Sequence, residues 1–231
     1  MTVKGFKLKG VEHLIGPMAA LLGFVYLLQW YIHGSVRSPG YPVFMVQQPP
    51  LVMGGGDPYI RALMRTISAS EASGNRPYSL LYGGQQVKDL SRHPEICVRI
   101  VNGPNKNNCS TAAGRYQIIN KTWFEIAPRY HPQPPGAMFW SSYSFAPEYQ
   151  DIVVYRWLKD TRVWRTDIPQ LLRQGKIDDV LRRLSPTWTS LGYGIETNSI
   201  TRSLPQIYEK MLQEELRAVN QGAFITTSPL R

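Results

Sequence analysis

An uncharged apolar stretch near the N-terminus, residues 13–32, constrains this chain more than any other feature of its sequence. It reads HLIGPMAALLGFVYLLQWYI and contains no Lys, Arg, Asp or Glu. A helix that spans a bilayer needs about 20 predominantly apolar residues. Trp30 and Tyr31 stand at the far end, where amphipathic rings favour the membrane interface. The stretch therefore predicts a transmembrane helix at residues 13–33.

The charges on either side of this stretch indicate its orientation. Lys4, Lys7 and Lys9 lie in the short arm formed by residues 1–12, whereas the next fixed charge after the stretch is Arg37. Because flanking positive residues stay in the cytoplasm, we expect the arm to be cytoplasmic. The chain would then be anchored by a single pass in the cytoplasmic membrane, with the remainder in the periplasm or another extracytoplasmic space.

The same residues allow three alternatives to a permanent anchor. A cleaved signal peptide would have a shorter apolar core and a small-residue cleavage site, and no A-x-A pattern follows the stretch. A buried core helix is rarely apolar on all sides at this length. Gly16, Pro17 and Gly23 make the stretch less hydrophobic than a Leu-rich span. An anchor that later leaves the membrane therefore stays open.

Beyond the apolar stretch, the chain divides into a tether and one domain. Residues 34–57 are rich in Pro and Gly, which resist helix and strand alike, and they predict a tether. A domain usually has about 100–200 residues, so the rest of this 231-residue chain suits one globular domain. We place that domain at residues 58–220 and expect a loose tail at residues 221–231.

The formal net charge of +10 indicates an anionic partner. Nucleic acid, anionic lipid and the acidic bacterial cell wall are the candidates. The Lys and Arg residues are scattered and no nucleic-acid-binding module is recognisable, so we expect no nucleic-acid partner. A basic surface that serves only solubility stays open as an alternative.

Cys97 and Cys109 are the two cysteines of the chain. An even count in an exported chain favours a disulfide, which would pin a loop of about a dozen residues and stabilise the fold by around 3 kcal/mol. Such a bond persists in an oxidising compartment. Two unpaired thiols are the alternative. We expect no metal site, because two cysteines without nearby ligands cannot complete tetrahedral zinc coordination.

Glu71 is a candidate acid at the end of a predicted helix. The apolar residues of segment 58–70 recur at helical spacing, Asp57-Pro58 suits the helix start, and Gly74 suits the stop. A carboxyl group at a helix C-terminus faces the negative end of the dipole, which disfavours its ionised form, and partial burial acts in the same direction. Both effects suit a general acid. An ordinary solvated glutamate is the alternative.

A second cluster of residues that could take part in ligand binding is the sequence STAAGRYQ at residues 110–117. Gly114 allows close backbone approach, while Arg115, Tyr116 and Gln117 offer hydrogen bonds and an aromatic face. Sugars are bound by this mixture of rings and planar polar groups. The alternative is the start of a helix with an incidental polar turn.

Short motifs in a fixed order resemble the lambda-type phage endolysins, a family of lysozyme-like lytic transglycosylases. Each motif alone is short, but the ordered set is specific and spans nearly everything beyond the tether. The matching pieces are SE at 70–71, YSLLYGG at 78–84, DLSRHP at 89–94, STAAGRYQ at 110–117, FAP at 145–147, QD at 150–151, and Trp188 followed by GYG at 192–194.

The resemblance implies a mainly α (α+β), lysozyme-like domain with a small β-hairpin that lines a glycan cleft, and it implies no cofactor. It places the single catalytic glutamate at Glu71. The family often has Asp where this chain has Ser79, which weakens any helper role for a second carboxylate. The positions expected to bind substrate are Ser79, Tyr82, Gly114, Arg115, Tyr116, Gln117 and Tyr193.

The reaction implied is cleavage of the β-1,4 bond between N-acetylmuramic acid and N-acetylglucosamine in peptidoglycan, with formation of a 1,6-anhydro product. Hydrolysis by a lysozyme is an alternative, for which Asp89 is the nearest candidate second carboxylate. A non-catalytic wall-binding module is another. We expect Trp188 to be a core aromatic rather than a sugar platform.

Overall fold

The computed structural model describes residues 48–72, 74–101, 105–134, 142–194 and 199–226, without the side chains of residues 222–226. The predicted cytoplasmic arm, the predicted transmembrane helix at 13–33 and most of the predicted tether lie outside these residues. Within the described part of the chain, no helix is both long enough and apolar enough to cross a membrane.

The centre of the fold is helix α1 (Pro58–Glu71), which begins and ends where the sequence predicts. The Asp57 side chain accepts a hydrogen bond from the backbone N–H of Tyr59 (2.9 Å), and proline occupies the first turn. This cap satisfies one of the unpaired donors at the helix start. The apolar positions that predicted the helix are completely buried: Ile60, Leu63, Met64 and Ile67.

Further helices pack around α1. Helices α3, α5 and α7 contact α1 directly, while α2 packs against α3, and α6 packs against α5 and α7. The long C-terminal helix extends through residue 226, so residues 221–226 are helical where a loose tail was predicted. The bounds are α2 (Asn120–Tyr130), α3 (Pro147–Lys159), α4 (Thr161–Trp164), α5 (Ile168–Arg173), α6 (Ile177–Leu184) and α7 (Leu204–Thr226).

Buried ion pairs hold α7 against α1. Arg61 lies 2.6 Å from Glu215, and Arg65 pairs with both Glu215 (3.1 Å) and Glu214 (2.6 Å). The side chains of both arginines and of Glu215 are almost fully buried. Removing one partner would leave an uncompensated buried charge, so this network fixes how the two helices pack.

A small antiparallel sheet accompanies the helices. Strand β1 (Val98–Arg99) pairs with β2 (Cys109–Ser110) in the register Val98 to Ser110 and Arg99 to Cys109. A disulfide joins Cys97 to Cys109, with 5.4 Å between their Cα atoms, and closes the base of this hairpin. The predicted disulfide and the expectation of a mainly helical fold with a small hairpin are therefore confirmed.

The segment 48–57, predicted as the end of the tether, packs onto the domain instead. Leu51 and Met53 are buried in the core. The Arg115 guanidinium donates to the carbonyl oxygen of Pro49 (2.6 Å), and the Asp151 carboxylate accepts from the backbone N–H of Met53 (3.2 Å). Its proline-rich composition is typical of a flexible tether. The carbonyl oxygens of prolines are nevertheless good hydrogen-bond acceptors, and here they pair with the buried Arg115. The folded domain thus includes residue 48 onward.

Candidate active site

Glu71 is the last residue of α1, and its side chain is partly exposed. The hydroxyl of Ser190 donates a hydrogen bond to its Oε1 atom. Ser190 belongs to a short 3₁₀ turn, Thr189–Leu191, which lies beside the C-terminal end of α1. The candidate acid is therefore at the helix end that the sequence predicts, and a distant turn orients its carboxyl group.

Ser190 is itself held by two neighbouring hydroxyl groups. The hydroxyl of Ser70 lies 2.8 Å from Ser190 Oγ and 3.1 Å from its carbonyl oxygen, to which Thr201 also donates (3.0 Å). These contacts form a chain from Ser70 through Ser190 to Glu71. No prediction from sequence named Ser190. The one signal for it was its position two residues after Trp188, inside a motif that supported the resemblance.

Trp188 connects this turn to the GRYQ segment. Its indole N–H donates to the carbonyl oxygen of Tyr116 (2.9 Å), and its ring packs against Trp157 with 5.4 Å between centroids. Trp164 completes the cluster. Trp188 is only 3% exposed, which confirms the expectation that it is a core residue.

The GRYQ turn runs antiparallel to the segment at 80–82. Gly114 N–H donates to the carbonyl oxygen of Leu80 (2.8 Å), and Tyr82 N–H donates to that of Ala112 (2.9 Å). The Gln117 side-chain amide also donates to Leu80 (3.1 Å), so part of its hydrogen-bonding capacity serves the turn itself. The structure thus brings the predicted residues Tyr82, Gly114 and Gln117 together in one small unit.

Arg115 and Tyr116, both predicted to bind substrate, point into the protein. Arg115 is completely buried and donates to the hydroxyl of Tyr78 (2.9 Å), and the Tyr116 hydroxyl donates to Asp151 (2.6 Å). Burial, reinforced by the Asp151 charge, raises the pKa of both Tyr78 and Tyr116, so these phenols remain protonated donors. Neither Arg115 nor Tyr116 presents its side chain to a sugar here. The structure instead favours a supporting role beneath the turn.

Ser79 and Tyr193, the remaining predicted positions, are solvent-accessible but engaged with other partners. The Ser79 hydroxyl donates to the side chain of Gln86. Tyr193 is 37% exposed, and its hydroxyl donates to Asp178 (2.8 Å) on α6. Partial burial and then the hydrogen bond to Asp178 raise the pKa of Tyr193 to about 12. These contacts link Tyr193 to α6.

Asp89, the candidate second carboxylate, is fully exposed. Its side chain accepts a hydrogen bond from the backbone N–H of Ser91 (2.9 Å). Hydrogen bonds from the side chain and backbone of Ser91 hold the pKa of Asp89 below its usual value, so it stays ionised in solvent. Among the described residues, no group of three or more His, Cys, Asp or Glu side chains could hold a metal ion.

Comparison with known proteins gives a consistent assignment. The family model described as "Endolysin" matches residues 61–214. The endolysin of Escherichia phage lambda is 30% identical over 132 residues, which cover 56% of this chain and 72% of that relative.

Solved structures show the same fold. Bacteriophage lambda lysozyme complexed with a chitohexasaccharide has a TM-score of 0.50 at 24% identity, and the lysozyme from bacteriophage lambda has a TM-score of 0.51 at 21% identity. Each similarity covers 69% of this chain and 97% of the solved chain. The family match over two thirds of the sequence, the identity with the lambda relative and the shared fold agree: the chain belongs to the endolysin family.

Proposed function

We propose that this chain is a lytic transglycosylase that cleaves the N-acetylmuramic acid–β-1,4–N-acetylglucosamine bond of peptidoglycan, with Glu71 as its catalytic residue. The observation that carries the proposal is a partly exposed glutamate at the end of a buried helix, its carboxyl group oriented by Ser190. Membership of the endolysin family supports peptidoglycan degradation as the broader activity. The lambda lysozyme complex with a chitohexasaccharide supports glycan binding.

In the proposed mechanism, Glu71 first acts as a general acid. It donates its proton to the glycosidic oxygen, and the bond to the muramoyl C1 breaks through an oxocarbenium-like state. The resulting carboxylate then takes the proton of the muramoyl 6-hydroxyl, whose oxygen attacks C1 and closes the 1,6-anhydro ring. The nucleophile belongs to the substrate, so one protein carboxyl group serves both steps. The hydrogen bond from Ser190 helps to orient that group.

The proposed cleft is lined by the residues of the resemblance whose side chains are accessible. Ser79, Tyr82 and Tyr193 are partly exposed and can offer ring faces or accepting hydroxyl oxygens to a glycan. Gln117 contributes its side-chain carbonyl oxygen, because its amide nitrogen already donates to the carbonyl oxygens of Leu80 and Gly114 within the turn. Arg115, Tyr116 and the backbone at Gly114 shape this surface from beneath.

Hydrolysis on the same bond is the second candidate function. A hydrolase needs a second carboxylate at a defined separation to activate water or attack the sugar. Asp178 is a candidate for that role because the hydroxyl of Tyr193, a proposed cleft residue, donates to it. The solvated Asp89 is a weaker candidate. If the products are those of hydrolysis, Asp178→Asn is the variant that tests this role.

We also propose that the domain works outside the cytoplasm, anchored by the apolar stretch at 13–33. The uncharged sequence and the lysines before it support this orientation. The Cys97–Cys109 disulfide adds support, because such bonds persist in oxidising compartments. An alkaline phosphatase fused after the last residue should be active in cells. Activity only of a reporter that works in the cytoplasm would reverse the orientation.

The test of the catalytic assignment compares binding with cleavage. Purified full-length chain in detergent should clear a suspension of peptidoglycan sacculi. Glu71→Gln should bind the sacculi equally well but release no soluble fragments, while the control Glu209→Gln, on the exposed face of α7, should behave as wild type. Full lytic activity of Glu71→Gln would refute the assignment. Binding without cleavage by the wild type would instead support a wall-binding module.

A further inference from the structure

We propose that a basic pocket between α5 and α6 binds the acidic peptide carried by muramic acid residues of the substrate. The enzyme would then prefer peptide-bearing glycan strands to bare ones. This inference rests on the proposed function, because it assigns a second recognition element to the same reaction. It concerns residues that neither the motifs nor the candidate active site included.

The pocket has a volume of about 540 Å³. Its walls come from the end of the α4–α5 connection, from α5, from two turns of α6 and from the segment after α6. That volume accommodates a short peptide branch rather than a whole sugar chain. The residues that line it are Thr166, Leu171, Asp179, Arg182, Arg183 and Pro186.

The charge of the pocket favours an anionic ligand. Arg182 and Arg183 are both exposed, against the single carboxylate of Asp179. In the described part of the chain, neither arginine forms a salt bridge, and Arg183 donates one hydrogen bond, to the carbonyl oxygen of Trp164 (3.2 Å). A guanidinium has five N–H donors in a planar fork that fits a carboxylate. Donors therefore remain for a ligand.

The pocket touches the proposed cleft residue Tyr193 and lies close in sequence to the turn that contacts Glu71. The Arg182 guanidinium lies 4.9 Å from the ring centroid of Tyr193. Pro186, on the pocket wall, leads within two residues to Trp188 and within four to Ser190, which contacts Glu71. A group bound in the pocket would thus lie alongside the glycan strand. The peptides of peptidoglycan, which branch from the lactyl group of muramic acid and carry carboxylates, have the matching chemistry and placement.

Kinetics on two soluble substrates test the inference. The first substrate is peptidoglycan strands with their peptides, and the second is the same strands stripped by an amidase. Arg183→Gln should lower kcat/KM on peptide-bearing strands by about tenfold through KM, the scale of one charge-assisted hydrogen bond, while stripped strands change less than twofold. Arg182→Lys, which keeps a cation over Tyr193, should act in the same direction. The matched control Lys176→Gln removes an exposed charge outside the pocket and should alter neither substrate.

Equal losses on both substrates, or no loss on either, would overturn the inference. Equal losses would mean that the arginines only support the fold.

A binding measurement separates this inference from the proposed function. The full-length Glu71→Gln chain should bind a free γ-glutamyl tripeptide, and adding Arg183→Gln should weaken that binding by about tenfold. If the wild type cleaves neither substrate but binds the tripeptide in this way, the pocket assignment survives and the transglycosylase assignment fails. Tripeptide binding that is absent, or unaffected by Arg183→Gln, would contradict the pocket assignment.

Discussion

The hydroxyl of Ser190 donates a hydrogen bond to the carboxylate of Glu71, although 119 residues separate the two in sequence. One partner ends the central helix, and the other lies in a 3₁₀ turn held by Ser70 and Thr201. The proposed catalytic group is therefore completed only when the C-terminal part of the domain folds against α1. Its orientation depends on a residue that has no acid–base chemistry of its own in the reaction.

Ser190→Ala should lower kcat by about tenfold with little change in KM, because the carboxyl group of Glu71 loses a hydrogen bond that orients it and spends less time in the reactive geometry. Ser190→Thr keeps the hydroxyl and should restore most of the activity. The measurement is steady-state kinetics on soluble peptidoglycan strands, with Thr161→Ala on the exposed start of α4 as the control. A change confined to KM, or no rescue by threonine, would contradict a positioning role.

Gly114→Ala should destabilise the domain by about 2–3 kcal/mol, on the scale of overpacking combined with backbone strain. At Gly114 the backbone φ is +75°, and an added Cβ would lie 2.8 Å from a ring carbon of Phe145. Gly175 has nearly the same φ, +73°, but open space around it. Gly175→Ala is thus the matched control and should cost about 1–2 kcal/mol from strain alone. Equal losses in urea unfolding would show that packing at Gly114 contributes nothing.

The stability of the domain should fall as the pH drops from 7.5 to 5.5. His93 is 1% exposed; its Nδ1 accepts from Glu95 N–H (3.1 Å), so Nε2 carries the proton donated to the carbonyl oxygen of Ile118 (2.9 Å). Burial lowers the pKa of His93 in the folded state. The unfolded chain, with a pKa of about 6.5, therefore binds the proton first, and stability is lost as the pH falls through that value.

The check is the free energy of urea unfolding at several pH values. His93→Gln removes the titrating group and should flatten this dependence, even if the variant is less stable at every pH. The same slope in both proteins would assign the pH effect to other groups.

Reducing the Cys97–Cys109 disulfide should lower the free energy of unfolding by about 3 kcal/mol, the value expected for a loop of this length. The double variant Cys97→Ser/Cys109→Ser should match the reduced protein and should not respond to reductant. Urea unfolding with and without reductant measures both effects. If reduction leaves stability unchanged, the hairpin is held by its strand pairing and the disulfide adds no constraint.

The sequence predicted the features that depend on local pattern. Helical spacing and the Asp57-Pro58 start located α1, and with it the position of Glu71 at a helix end. The even pair Cys97 and Cys109 predicted the disulfide. These predictions hold because capping, periodicity and cysteine pairing are physical constraints that act within a short stretch of chain or through one covalent bond.

Features that depend on tertiary contacts could not be predicted in this way. The mixture of polar and aromatic residues at Arg115 and Tyr116 resembles a sugar-binding surface, yet both side chains turn inward because Asp151 and the carbonyls of segment 48–53 offer buried partners. That segment is proline-rich, which is also typical of a tether. Beyond its place after Trp188, Ser190 has no pattern of its own that indicates function, because its importance comes from a helix end more than a hundred residues away.

Mass spectrometry of peptidoglycan digested by the full-length protein, beside Glu71→Gln, tests the central claim most directly. Internal attack by the muramoyl 6-hydroxyl predicts muropeptides that are one water lighter than hydrolysis products and absent from the Glu71→Gln digest. Products with ordinary reducing ends would contradict the transglycosylase mechanism and indicate a hydrolase. Anhydro products from Glu71→Gln at the wild-type rate would contradict the role of Glu71.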